Sequence, residues 1–193
     1  MCEGGFDVIA LTQAGVKNCV GLLGTSLSAE QVKLIVAQKC RVLLWLDADE
    51  AGQTATINLA HKLLMAHVQV RVYAAKTHQS DPASVVSEKQ FSVDQLGSGW
   101  QHPVSFAIRV FQSALDLQQA ESVQRFIKRV TALLQLETDQ VILNSFVQQL
   151  SVITKFSPAV IKETMQMQVT PAPNRPKTSA DPSQLQRAER RLL

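Results

Sequence analysis

An apolar run that stops abruptly at two carboxylates constrains this chain more than any other stretch: Arg41 to Gly52 reads RVLLWLDADEAG. Val42 to Leu46 is apolar without alternation, the pattern of a short strand buried on both faces. Asp47 and Asp49 follow, one residue apart, and Glu50-Ala51-Gly52 opens a helical pattern. Ligands of open α/β sheets collect at the carboxyl edge of such strands, and paired acids there suit a hard, oxygen-ligated cation such as Mg²⁺. The same residues also suit an Asp N-cap with a second acid complementing the helix dipole. From this stretch alone the two readings weigh equally.

The flanking sequence tips the balance. Glu3-Gly4-Gly5-Phe6-Asp7 precedes a helical segment, Val8 to Ala14, with Gly15 at the C′ position. Only Met1 and Cys2 remain of a strand that would lead into Glu3, so unpaired backbone is expected where that strand should lie, with an aggregation-prone edge. Asn18 to Leu23 is a second strand-like run. Ser28 with Gln31 forms a capping-box pattern, opening a helix expected to bury Val32, Ile35 and Val36 and to expose Lys33 and Lys39. A longer helix from Ala51 to His67 carries Ala55, Leu59, Leu63 and Leu64 on one face. Gln69 to Ala74 reads as a strand, Lys76 to Asp81 as a loop, and Asp81-Pro82 as a helix start. This strand–helix alternation predicts a parallel sheet. Acids stand at three of its loops: Glu3 and Asp7, Asp47 and Asp49, and Asp81. Such loops meeting at one sheet edge favour a metal site over a coincidence of caps.

The second half differs. Residues 91–102 read as a polar connection. Apolar positions then recur at helical spacing through Val104, Phe106, Ile108 and Phe111. They recur again through Val123, Phe126, Ile127, Val130, Leu133 and Leu134, and through Val141, Ile142, Phe146, Leu150 and Ile153. Ser157-Pro158 opens one more helix. Prolines 171, 173, 176 and 182 mark a linker, and Gln184 to Leu193 is helix-forming. The expected divisions are therefore 1–90, 91–168, 169–182 and 183–193.

At 46% hydrophobic residues the chain can bury a core, and its net charge of +3 is too small to name a nucleic-acid partner. The basic excess lies entirely after residue 90. Cys2, Cys19 and Cys40 have no zinc spacing, and His61, His67, His78 and His102 are scattered, so no zinc is expected. No run reaches a membrane span and no secretory signal is present. The expectation is a soluble, intracellular protein with no membrane partner.

The segments Glu3 to Leu11, Gln13-Ala14-Gly15, Leu23-Gly24-Thr25-Ser26-Leu27 and Asp47-Ala48-Asp49-Glu50-Ala51-Gly52, with Asp81-Pro82, resemble the Toprim domain of bacterial replicative DNA primases. The helices after residue 103 resemble the helical part that follows it. The resemblance implies a Toprim-like parallel α/β sheet with flanking helices, then an all-α subdomain. It implies Glu3 at the catalytic centre with Asp7 supporting it, Asp47 and Asp49 catalytic and metal-binding, and Glu3 and Asp81 as further ligands of Mg²⁺ or Mn²⁺. The implied enzyme is a nucleotidyltransferase, a DNA-directed RNA polymerase that joins ribonucleoside triphosphates into short primers on single-stranded DNA. The implied setting is the cytoplasmic bacterial primosome. Residues 183–193 would open a domain that binds the replicative helicase. Two departures stand out: Ala83 replaces a second acid, and Gly5 replaces an aromatic whose space Phe6 is expected to fill. A Toprim-type nuclease and a non-catalytic replication accessory protein are the alternatives.

Overall fold

The computed structural model describes residues 1–73, 81–87 and 99–169. In chain order they form α1 (Gly5–Gln13), α2 (Ala29–Ala37), β1 (Val42–Leu44), α3 (Glu50–Met65), β2 (Val70–Tyr73), α4 (Pro82–Ser87), β3 (Trp100–Gln101), α5 (Pro103–Gln112), α6 (Ala120–Leu134), α7 (Gln140–Thr154) and α8 (Pro158–Val169). The linker, the last helix-forming stretch and His78 lie outside the described residues.

The crossover β1–α3–β2 makes a parallel pair, Val42 opposite Val70 and Leu44 opposite Val72. Lys39 and His67, both at positive φ, turn the chain out of α2 towards β1 and out of α3 towards β2. On the far side of β2, β3 pairs antiparallel, Val72 with Gln101 and Tyr73 with Trp100. This edge strand lies inside the stretch expected to be a connection. Two residues carry no periodicity, and what holds them is aromatic contact: Tyr73 sits 4.1 Å from Trp45 and 5.2 Å from Trp100, ring centre to ring centre.

Met1 and Cys2 occupy the slot on the other side of β1. The Met1 carbonyl accepts from Trp45 N–H at 2.8 Å, the Cys2 N–H donates to the Val20 carbonyl at 3.0 Å, and the Cys2 carbonyl accepts from Leu22 N–H at 3.0 Å. Their backbone is thus paired on both sides, contrary to the unpaired backbone expected there. The run Asn18 to Leu23 amounts to a single parallel bridge, Cys2 with Gly21, because Leu23 turns away at φ 54°.

One apolar cluster continues from the sheet into the helices. Leu44, Leu59, Leu63, Val70 and Val72 join Val104, Ala107, Phe126, Val130, Leu134, Leu150 and Ile161, and α5 packs on both β2 and α3. The α6 stripe is buried as its spacing indicates, and so is the α3 face except for half-buried Leu64. Three expectations of burial fail. Helix α2 fully buries nothing and leaves Val36 exposed, while Val32 and Ile35 pack only half-buried against the core. Val141, in the first turn of α7, points to solvent. Phe6 is 85% exposed, because α1 turns Asp7 and Leu11 inward instead.

Candidate metal centre

Each acid singled out above sits at the end of an element that fixes it. Asp47 follows β1 and its buried continuation, Trp45 and Leu46. Asp49 is the N-cap of α3, accepting the Gly52 N–H at 2.7 Å. Gly52 is required for this turn: a Cβ there would lie 2.3 Å from the Asp47 carbonyl oxygen. The strand end and the first helical turn therefore touch, main chain to main chain. The Gln53 amide adds a bond to the Ala48 carbonyl at 2.9 Å. Glu3 follows the paired residue Cys2, and its carbonyl accepts from Leu23 N–H at 3.0 Å.

Asp7 and Asp81 are tied differently. Buried Asp7 accepts from Gly4 N–H at 2.9 Å and from Ala83 N–H at 3.3 Å, so it fastens α1 to the start of α4. Asp81 caps α4, taking Ser84 N–H at 2.6 Å and the Ser84 hydroxyl at 2.7 Å. Both oxygens of each carboxylate are thereby engaged. No such bond holds the side chains of Glu3 and Asp47 among the described residues.

Electrostatics tie the other acids to Asp47. Asp47 is pushed up to about 6 from an ordinary value of 3.8, first by burial and then by the charges of Glu3, Asp7, Asp81 and Asp49, in that order. The charges of the other four expected acids thus all reach Asp47. They do not form a closed cage: among the described residues no group of three or more His, Cys, Asp or Glu is gathered tightly enough to hold an ion. The donor set still fits a hard divalent cation. It is all oxygen, it includes two carboxylates without competing hydrogen bonds, and its charge already penalises ionised Asp47.

Beside Asp49 lies an open hollow of about 720 Å³, lined by Thr25, Glu50, Ala51, Thr54, Ala55 and Asn58. Thr54 and Asn58 were not legible as site residues, since polar positions on a helix ordinarily face solvent. Thr25 at least belongs to the Gly24-Thr25-Ser26 turn that stood out in the sequence.

The Toprim-like family matches residues 1–86. A DNA primase of Clostridium acetobutylicum is 27% identical over 150 residues, covering 77% of this chain and 25% of that protein. The chain is similar to bacterial DNA primases and carries a Toprim-like match over residues 1–86. A DNA primase domain from Pseudomonas aeruginosa superposes with a TM-score of 0.63 at 25% identity, covering 85% of this chain and 52% of that one. The DnaG primase catalytic domain bound to single-stranded DNA gives a TM-score of 0.62 at 20% identity, over 82% and 51% of the respective chains. The chain therefore spans a quarter of the curated relative and about half of the solved primase domains. Toprim-like domains and primases use divalent metal ions. Among the described residues no helix is long and apolar enough to cross a membrane.

Proposed function

We propose that this chain carries the carboxylate side of a primase active site, serving a nucleotidyltransferase that joins ribonucleoside triphosphates into short RNA primers on single-stranded DNA. The observation that carries the reading is the convergence of Glu3, Asp7, Asp81 and Asp49 on Asp47. Asp47 and Glu3 are the ligands with free oxygens, and Asp49 contributes the oxygen not used in its cap. Asp81 and Asp7 hold the α4 end against the site and add negative charge. Mg²⁺ or Mn²⁺ bound there would neutralise triphosphate charge and stabilise the attacking and leaving oxygens. The hollow beside Asp49 has the volume of a small-molecule site and is open enough for a nucleotide to enter with its metal.

In this reading residues 1–90 form the metal-binding unit and 91–168 its helical support. The setting is the cytoplasmic replication fork, where the single-stranded template is met. Helicase contact would fall to 183–193 and beyond, outside the described residues.

The test is calorimetric titration of Mg²⁺ and Mn²⁺ into the full chain and its Asp47→Asn and Asp49→Ala variants, beside primer synthesis on single-stranded DNA. Saturable binding by the parent and at least a tenfold loss in Asp47→Asn are expected. Primer synthesis that survives Asp47→Asn overturns the assignment, and metal-dependent DNA cutting without nucleoside triphosphates replaces it with the nuclease.

A further inference from the structure

The site's first strand residue is also a thiol, and it faces another. Cys2 is fully buried, and its Sγ lies 3.5 Å from the Sγ of partly exposed Cys19. The two are 17 residues apart in sequence and belong to the paired segments on either side of the Cys2–Gly21 bridge. Cys40, exposed, stands apart as a third free thiol. Two sulfurs in contact across a hydrogen-bonded ladder are held together by the fold, so their encounter does not depend on chance collisions of a flexible loop.

We propose that Cys2 and Cys19 are an oxidisable pair, a modification site that closes to an intrachain disulfide under a peroxide. Cys19 meets the oxidant because it is the solvent-reachable member. Its thiolate attacks a peroxide oxygen, the O–O bond breaks, and Cys19 becomes a sulfenic acid with release of hydroxide. The Cys2 sulfur, already in contact, then attacks the Cys19 sulfur. The S–O bond breaks, and the hydroxyl leaves as water with the proton from Cys2. Two thiols and one hydrogen peroxide give one disulfide and two waters, and a small-molecule dithiol reverses the change.

Closure has a structural consequence. The sulfurs must approach to about 2.05 Å, drawing the Cys2 strand towards residues 19–21. Glu3 is the next residue, and its carbonyl is bonded to the same ladder through Leu23. Oxidation thus moves the Glu3 carboxylate relative to Asp47. This second effect rests on the metal-site reading above; the cross-link itself does not.

The experiment uses the full chain with Cys40→Ser, treated with hydrogen peroxide and then alkylated under denaturing conditions. Intact mass and peptide mapping should show loss of two hydrogens, no alkylation, and a peptide joining the Cys2 and Cys19 segments. Dithiothreitol should restore two alkylated sites. Cys19→Ala, which leaves Cys2 buried, should show no such mass change. Stable sulfinic acid at Cys19, intermolecular dimers, or two thiols that stay alkylatable after peroxide each overturn the proposal. Mg²⁺ titration of the oxidised form reports separately: weakening of threefold or more links the cross-link to Glu3. Unchanged binding by a confirmed disulfide rejects that link while the cross-link stands.

Discussion

Acids at the two ends of this molecule begin alike and finish differently. In the helical half, Asp139 caps α7 by accepting from Val141 and Ile142 N–H, much as Asp49 caps α3. Its neighbour Glu137 is committed to His102 at 2.9 Å and to the Asp139 N–H at 2.8 Å. These carboxylates are satisfied locally. In the α/β half, caps at Asp49 and Asp81 stand beside Asp47 and Glu3, whose side chains have no such partner among the described residues. An acid at a helix start is structural when local donors account for it. It belongs to a site when further, unsatisfied carboxylates crowd the same edge.

Breaking the helical half should leave the metal site alone. Leu150 is fully buried in the shared core, so Leu150→Ala is expected to cost about 3–4 kcal/mol, read by urea denaturation, with Mg²⁺ affinity unchanged. Weakened metal binding would show that the helices position the acids directly. The converse test is Gly52→Ala. The new methyl meets the Asp47 carbonyl, so about 2–3 kcal/mol of stability should be lost, here with metal affinity falling at least tenfold.

The finest test is pH, because the two halves respond with opposite signs. The folded-state pKa of Asp47 is raised to about 6 from 3.8. The folded state holds that proton more tightly, so the associated stability is full below about pH 4 and is lost as pH rises to about 6. His102 is lowered from its ordinary 6.5, chiefly by burial, against the opposing pull of Glu137. Its Nδ1 accepts the Val104 N–H at 3.2 Å as the N-cap of α5, which needs the neutral ring. Its stabilising contribution is therefore full above pH 6.5 and is lost as pH falls through its folded-state value. Thermal melts across pH 4–8 should show both slopes, and saturating Mg²⁺ should abolish only the first.

Much of this was legible in residues. The Val42 to Leu46 run, the Ser28–Gln31 capping box, the Asp81-Pro82 start and the α6 stripe all declare themselves through spacing and local chemistry. What stayed hidden depends on partners far away in sequence. Asp7 was read as a supporter of the site, and the backbone it fastens belongs to Ala83, 76 residues on. The position that lost its expected acid still contributes an N–H. His102 showed in the sequence only as one of four scattered histidines, because its role rests on Glu137 and on Phe146, whose ring centre lies 5.0 Å away. The edge strand Trp100–Gln101 was invisible for the same reason: two residues have no period, and their cause lies in Tyr73.

The missing side chain at Gly52 makes α3 a lever. With nothing between that residue and the Asp47 carbonyl, strand end and helix start move as one piece. The far arm of the lever is Leu59 and Leu63, seated against the sheet. Small shifts in how those residues pack would therefore reach the carboxylates without any ligand travelling the distance, and in the proposed metal site the grip on a cation would become a gauge of core packing more than a turn of helix away.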